Sequence, residues 1–218
     1  VDRPAGGDDL MAALADGLTY EADSLQPAQI ATALGRLPAG RYEAWFATLP
    51  GTLREAMIEK WGPPPGEWYV DGDDLVLAGL QLGNVFVAIQ PPRGFGENPV
   101  AIYHDPELAP AHHYLAAYHW LRTGFGADAI VHLGKHGTLE WLPGKGLGLG
   151  PESAPDAALA GVPLFYPFVV DDPGEGVQAK RRASAVIVDH LVPPMMRAET
   201  YDELAQLEQL LDEYARCE

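Results

Sequence analysis

Three short apolar runs, each closed by a glycine- or proline-rich break, organise the second half of the chain. Asn84–Gln90 (NVFVAIQ) is β-branched and apolar and ends in Pro91-Pro92-Arg93-Gly94. Ala127–Leu133 stops at Gly134-Lys135-His136-Gly137, and Leu164–Val170 stops at Asp171-Asp172-Pro173-Gly174-Glu175. Such runs bounded by turn residues predict strands. Between them Ala111–Arg122 has helical spacing, with Leu115, Tyr118 and Leu121 on one stripe. Gln178–Leu191 predicts a helix stopped by Pro193-Pro194, and Glu199–Arg216 an amphipathic one carrying Leu204, Leu207, Leu211 and Tyr214.

Residues 91–126 separate the first two strands, room for a crossover helix and too much for a hairpin. The pattern therefore predicts an α/β fold, an open parallel sheet with crossover helices. All parallel strands end on one edge, where ligands bind in such sheets. The segments carrying Arg93, His136 and Glu175 are expected to meet there.

Residues 1–78 read differently, as a mainly helical segment in short pieces that belongs to a neighbouring subdomain, with 79–218 as the α/β domain. Asp23 or Ser24 would cap a helix carrying Ile30, Leu34 and Leu37, and Thr52 one carrying Ala56, Met57 and Trp61. Gly62-Pro63-Pro64-Pro65-Gly66 interrupts all periodicity.

Composition narrows the function. A hydrophobic fraction of 47% in 218 residues suits a folded domain, and no apolar run approaches the roughly 18 residues of a membrane span. No basic, then apolar, leader is visible, and the single cysteine, Cys217, excludes an internal disulfide and a multi-cysteine zinc site. A cytoplasmic protein is expected. An opening Val1 suggests a processed or excised piece. The net charge of −17 argues against nucleic acid and anionic membranes as partners. Its basic residues are unevenly placed, with Lys180-Arg181-Arg182 the one triple and Arg93, Lys135 and Lys145 each beside a glycine or one residue from it. Local positive spots of this kind can hold an anionic small molecule.

The candidate chemistry lies in AIVHLGKHGTLEWLPGKG, 129–146. His132, His136 and Glu140 follow an i, i+4, i+8 spacing that would line one face of a helix as metal ligands. Gly134 and Gly137 argue against a continuous helix, so His132 closes the strand, His136 sits in the loop, and Glu140 starts a short helix capped by Thr138. The glutamate follows the second histidine, which excludes a zincin pattern, and GxSxG is absent. GKGLGLG lacks the GxxxxGK[ST] order, so no nucleotide site is expected. His112-His113 are adjacent on a helix, and one of the two is expected to face solvent. Glu175 and Lys180-Arg181-Arg182 are expected to open a helix whose free N-terminus favours an anion.

Four blocks carry a family resemblance: GNVFVAIQPPRGFG (83–96), YHDPELAPAHHYLAAYHWLR (103–122), GADAIVHLGKHGTLEWLPGK (126–145) and DDPGEGVQAKRRASAVIVDHLVPPMMRAE (171–199). Together they resemble the large-subunit family of cobaltochelatases and magnesium chelatases, and within it the aerobic, ATP-dependent cobalt branch, the CobN type. The resemblance implies a piece of a much longer subunit that binds a tetrapyrrole and the incoming metal and is not active alone. Co2+ would be a substrate, inserted into a corrinoid precursor, hydrogenobyrinic acid a,c-diamide, during cobalamin biosynthesis. ATP would be hydrolysed by an AAA+ ATPase subunit that works with an integrin-like subunit. The magnesium branch, acting on protoporphyrin IX, shares the His136–Glu140 block, while PGEGVQAKRR and YHDPEL favour the cobalt branch.

Metal insertion needs bases for two pyrrolic protons, ligands to strip water from the ion, and cations for peripheral carboxylates. His136 and Glu140 suit the catalytic work, His132, His136 and Glu140 the metal, and Arg93, Lys135, Glu175, Lys180 and Arg181 the substrate. Two other readings stay open on the residues alone: a non-catalytic tetrapyrrole-binding module, and a metallohydrolase built on His132, His136 and Glu140.

Overall fold

The computed structural model describes residues 4–18, 20, 27–94, 102, 105–146, 150–169, 172–189 and 202–216. Asp23, Ser24, Gly148, Asp171 and Cys217 lie outside the described residues. Among the described residues, eight helices and eight strands run in the order α1 (Gly7–Asp16), α2 (Pro27–Ala31), β1 (Gly35–Pro38), α3 (Ala39–Phe46), α4 (Gly51–Trp61), β2 (Val70–Asp71), β3 (Asp74–Leu77), β4 (Leu80–Leu82), β5 (Val85–Val87), α5 (His112–Trp120), β6 (Ile130–Val131), α6 (Ala154–Leu159), β7 (Leu164–Pro167), α7 (Pro173–Arg182), β8 (Val186–Val188) and α8 (Asp202–Arg216). None of these helices is long and apolar enough to cross a membrane.

The parallel sheet is β6-β7-β8, with Ile130 opposite Leu164 and Phe165 opposite Val186. The α/β architecture is present, but its membership differs from the expectation. NVFVAIQ is not a strand of this sheet. Its first residues fold back on β4 as an antiparallel hairpin, Leu82 opposite Val85, through the two-residue turn Gly83-Asn84 with Gly83 at φ 63°. A positive φ at the first turn position is what a tight hairpin of this length requires. The third strand comes instead from Val186–Val188, expected as the end of a helix. Helix α7 stops at Ala183, Ser184 takes a left-handed φ of 50°, and the β-branched run then pairs with β7.

Among the described residues, the first 78 positions hold four helices and also a three-stranded antiparallel sheet, β1-β3-β2. Leu37, expected on a helix, is the buried centre of β1, and the buried face of α4 is Leu53 and Met57, with Ala56 exposed. Helix α4 begins after Pro50, one residue before Thr52. Leu37, Tyr42, Phe46, Leu53 and Met57 share one hydrophobic cluster with Leu115, Ile130, Leu164 and Tyr166, so the core continues across residues 78 and 79.

At its centre lies α5. All nine of its residues are buried, with β1 and β3 on one side and α6 on another. A helix enclosed on every side has no solvent face to give away, so His112 and His113 both point inward, against the expectation for adjacent positions. One nitrogen of each ring donates to a backbone carbonyl: Nε2 of His112 to Gly62 at 3.0 Å, and Nε2 of His113 to Pro92 at 2.9 Å. A single π-turn, Leu121–Phe125, ends the helix.

Candidate functional site

The loop after β6 leaves the carboxyl edge of the parallel sheet. It is tied to the sheet by His132, whose N–H donates to Phe165, and by the Val169 N–H, which donates to the Gly134 carbonyl at 3.0 Å. Two leucines with no exposed surface, Leu139 and Leu142, then pin a 3-10 turn, Leu139–Trp141, into the core. Thr138 occupies the cap position, but its hydroxyl pairs with Tyr114 Oη at 3.0 Å and makes no cap bond.

This turn carries Glu140 inward, where its side chain is wholly buried. Oε1 accepts the Gly137 N–H at 3.0 Å and the Tyr166 hydroxyl at 3.4 Å. Oε2 is buried with no hydrogen-bond partner among the described residues. Burial raises the carboxyl above its ordinary pKa, backbone N–H contacts and His136 pull it down, and Glu175 pushes it up. The result is a carboxyl group with one oxygen fixed and the other available. His136, by contrast, is exposed; its Nδ1 donates to the Gly137 carbonyl at 3.2 Å.

Beneath the loop runs a buried polar network. The Gln90 amide accepts the Thr138 N–H at 2.9 Å and donates to the hydroxyls of Tyr118 at 2.8 Å and Tyr114 at 3.3 Å. The Tyr118 hydroxyl also pairs with Nε2 of His132, 3.0 Å away. Burial lowers the His132 pKa to about 4, so the ring is neutral at pH 7. Burial likewise raises the hydroxyls of Tyr114, Tyr118 and Tyr166, which keep their protons. His132 is thus a partner of the network. Among the described residues, no three His, Cys, Asp or Glu side chains are placed to hold a metal ion together.

The basic residues divide into two kinds. Arg93 has no exposed surface, and its guanidinium donates to the carbonyls of Trp141 at 2.9 Å, Asp105 at 2.7 Å and Leu108 at 2.8 Å. It presents nothing to a substrate carboxylate here; it braces the loop. Arg182 reaches back to the same turn, to the carbonyls of Glu140 at 2.7 Å and Leu142 at 2.5 Å. Lys135, Lys180 and Arg181 are exposed, with Lys135 3.6 Å from Asp172.

Lys180, Arg181 and Arg182 occupy the last turn of α7 and not its start, where cations complement the carbonyl end of a helix. Nor is the N-terminus of α7 free. Asp172 accepts the Glu175 N–H at 3.3 Å, Pro173 opens the first turn, and Glu175 adds a second carboxylate there. Glu175 also accepts the Trp141 indole N–H at 3.1 Å. The structure therefore does bring Arg93, the His136–Trp141 loop and Glu175 together, although Arg93 arrives from an irregular segment and not from a strand of the sheet. Sequence reasoning passed over Gln90, Tyr118, Tyr166 and Arg182. Gln90 had one signal, a polar residue at the end of an apolar run; Arg182 was merged into a charge triple.

Residues 1–218 match the CobN/Magnesium Chelatase family over their whole length. The chain is 49% identical over 97% of its length to the aerobic cobaltochelatase subunit CobN of Pseudomonas aeruginosa, and covers 17% of that protein. It is 38% identical over 85% of its length to a magnesium-chelatase subunit of Rhodobacter capsulatus, covering 15% of it. Its structure resembles the catalytic subunit of cobaltochelatase from Mycobacterium tuberculosis, with a TM-score of 0.70 and 57% identity over 96% of this chain and 18% of that one. The chain thus spans about a sixth of the length of the relatives it matches.

Proposed function

This chain belongs to the CobN/magnesium chelatase family, and on that premise we propose that it is the part of a cobaltochelatase large subunit that supplies the proton-accepting group for metal insertion. The observation that carries the reading is Glu140: a buried carboxyl with Oε1 held by Gly137 and Tyr166 and Oε2 unpartnered among the described residues. An ion entering a tetrapyrrole displaces two pyrrolic N–H protons, and a buried carboxylate with a raised pKa is a better acceptor for them near neutral pH than an exposed one. Oε2 takes the proton, and the bonds to Oε1 keep the group from rotating away. His136, exposed in the same loop, passes the proton to solvent or offers a ligand to the incoming ion.

Identity favours cobalt over magnesium, since the cobalt-branch relative is matched at 49% over 97% of the chain and the magnesium-branch one at 38% over 85%. The substrate is then a corrinoid such as hydrogenobyrinic acid a,c-diamide, its peripheral carboxylates met by the exposed Lys135, Lys180 and Arg181. ATP is hydrolysed by separate AAA+ and integrin-like partner subunits, in a cytoplasmic complex. The test is Glu140→Gln in the full-length subunit assembled with its partners. The amide keeps the shape but cannot accept a proton, so cobalt insertion is lost while far-UV circular dichroism is retained. Insertion near the parent rate would return Glu140 to a structural role. His136→Ala should retain the fold and weaken metal capture.

A further inference from the structure

We infer that Arg182 is the positioning residue of this site, holding from α7 the backbone on which Glu140 is mounted. This role rests on the proton-accepting reading of Glu140 and adds to it the residue that keeps the carboxyl in place.

Three consecutive basic residues end α7, and they have different fates. Lys180 and Arg181 are exposed, whereas Arg182 is half-buried, and burial lowers its pKa. Its Nε donates to the Glu140 carbonyl at 2.7 Å, one terminal nitrogen to Leu142 at 2.5 Å, and the other to Gly144 at 3.4 Å. The intervening carbonyl, Trp141, is taken by Arg93 at 2.9 Å. Carbonyls 140, 141 and 142 are thus each held by a guanidinium.

A three-residue 3-10 turn leaves its last carbonyls without partners of its own. Here the turn's own bonds run from Trp141 N–H to Thr138 and from Leu142 N–H to Leu139, leaving the carbonyls of 140–142 to the arginines. The planar fork of Arg182 spans acceptors two residues apart, a task an ammonium group on a flexible stem does poorly. At the other end of α7, Glu175 holds the Trp141 indole at 3.1 Å. The helix is therefore fastened to the turn at both ends.

The position of the Glu140 carboxyl follows from this fastening. Its Oε1 bonds to Gly137 and Tyr166 fix the side chain only while the backbone at 140 stays where Arg182 holds it. Release of the turn moves the Glu140 carboxyl away from the Gly137 N–H and the Tyr166 hydroxyl that hold its Oε1.

The test compares the parent, Arg182→Lys, Arg182→Gln and Glu140→Gln in the full-length subunit with its partner ATPase, following Co2+ insertion into hydrogenobyrinic acid a,c-diamide and titrating the corrinoid-binding fraction of each. Arg182→Lys keeps charge and length, so it reports positioning even if Arg182→Gln does not fold. The expected result is a kcat lowered about tenfold, the scale of one charge-assisted hydrogen bond, with KM for the corrinoid within about twofold. A merely structural role would lower kcat only in proportion to the fraction of subunit that still binds corrinoid, and that outcome overturns the inference, as does an unchanged kcat. If Glu140→Gln itself inserts cobalt normally, the reading of Glu140 fails and the positioning role falls with it. An inactive Glu140→Gln beside an unaffected Arg182→Lys sinks the positioning role alone.

Discussion

The side-chain oxygen of Gln90 accepts the backbone N–H of Thr138 at 2.9 Å, joining two segments far apart in sequence at the floor of the Glu140 loop. The same amide donates to Tyr118 at 2.8 Å. Replacing Gln90 with Leu leaves a half-buried N–H and a buried hydroxyl without that partner, which costs about 1–3 kcal/mol. Amide exchange in a peptide covering 134–142 of the full-length subunit should then quicken by roughly 5- to 150-fold. Unchanged exchange would show that the loop is held without Gln90.

Gly137 is confined by contact. A Cβ there would lie 3.1 Å from Oε1 of Gln90 and 3.2 Å from the Tyr166 hydroxyl. Gly137→Ala therefore pushes on both supports of the loop and should cost about 1–3 kcal/mol, as overpacking does. Slower cobalt insertion with unchanged KM would be its kinetic sign, and insertion at the parent rate would contradict it.

Glu140 also gives a stability test with a defined sign. Its folded pKa is raised, so folding favours the protonated form. The stability this contributes is present below the ordinary carboxylate value and is lost as pH rises through the raised one. Glu140→Gln mimics the protonated state permanently. It should therefore protect the 134–142 segment from exchange at pH 7 to 8, with the gain vanishing near pH 4. A variant less protected than the parent at pH 8 would contradict the burial argument.

The buried imidazoles act in the opposite direction. Burial lowers His132 from an ordinary 6.5 to about 4 and His113 to about 3. A neutral folded form and a protonatable unfolded form make stability complete above pH 6.5 and progressively lost as pH falls toward 4. Denaturant midpoints measured from pH 7 to 4 should fall less steeply for His132→Gln than for the parent. Parallel curves would mean His132 titrates normally.

Lys180 and Arg181 remain the exposed cations of α7, without an ion-pair partner among the described residues. Arg181→Gln should weaken corrinoid affinity by about ten- to a hundredfold, with a shallower salt dependence. An unchanged dissociation constant and salt slope would make the pair a solvated helix face.

Much of this protein is determined by local pattern. The strand inside the apolar run Ala127–Leu133 and the glycine-bounded loop after it follow from neighbours in sequence, because turn and cap chemistry acts within a few residues, whereas α7 starts at Pro173, five residues before the expected Gln178. The convergence of Arg93, the His136 loop and Glu175 was expected from a parallel sheet that includes 84–90, and it is present although those residues lie outside that sheet. Even the hairpin at Gly83-Asn84 had a local sign, a glycine-asparagine pair between apolar runs.

Tertiary contact decided the rest. Ala185–Val188 could serve a helix or a strand, and pairing with β7 made it a strand. Helix α5 became the centre of the core, so both His112 and His113 turned inward. Arg93 and Arg182 carry the same charge as Arg181, but only the fold determines which guanidinium meets an orphaned carbonyl and which meets water. His132, His136 and Glu140 share a spacing, yet burial gives them three different settings: a neutral buried imidazole, an exposed imidazole and an enclosed carboxyl. Spacing along a chain sets which residues can meet; desolvation and hydrogen-bond supply, which exist only once the chain has packed, set what each can do.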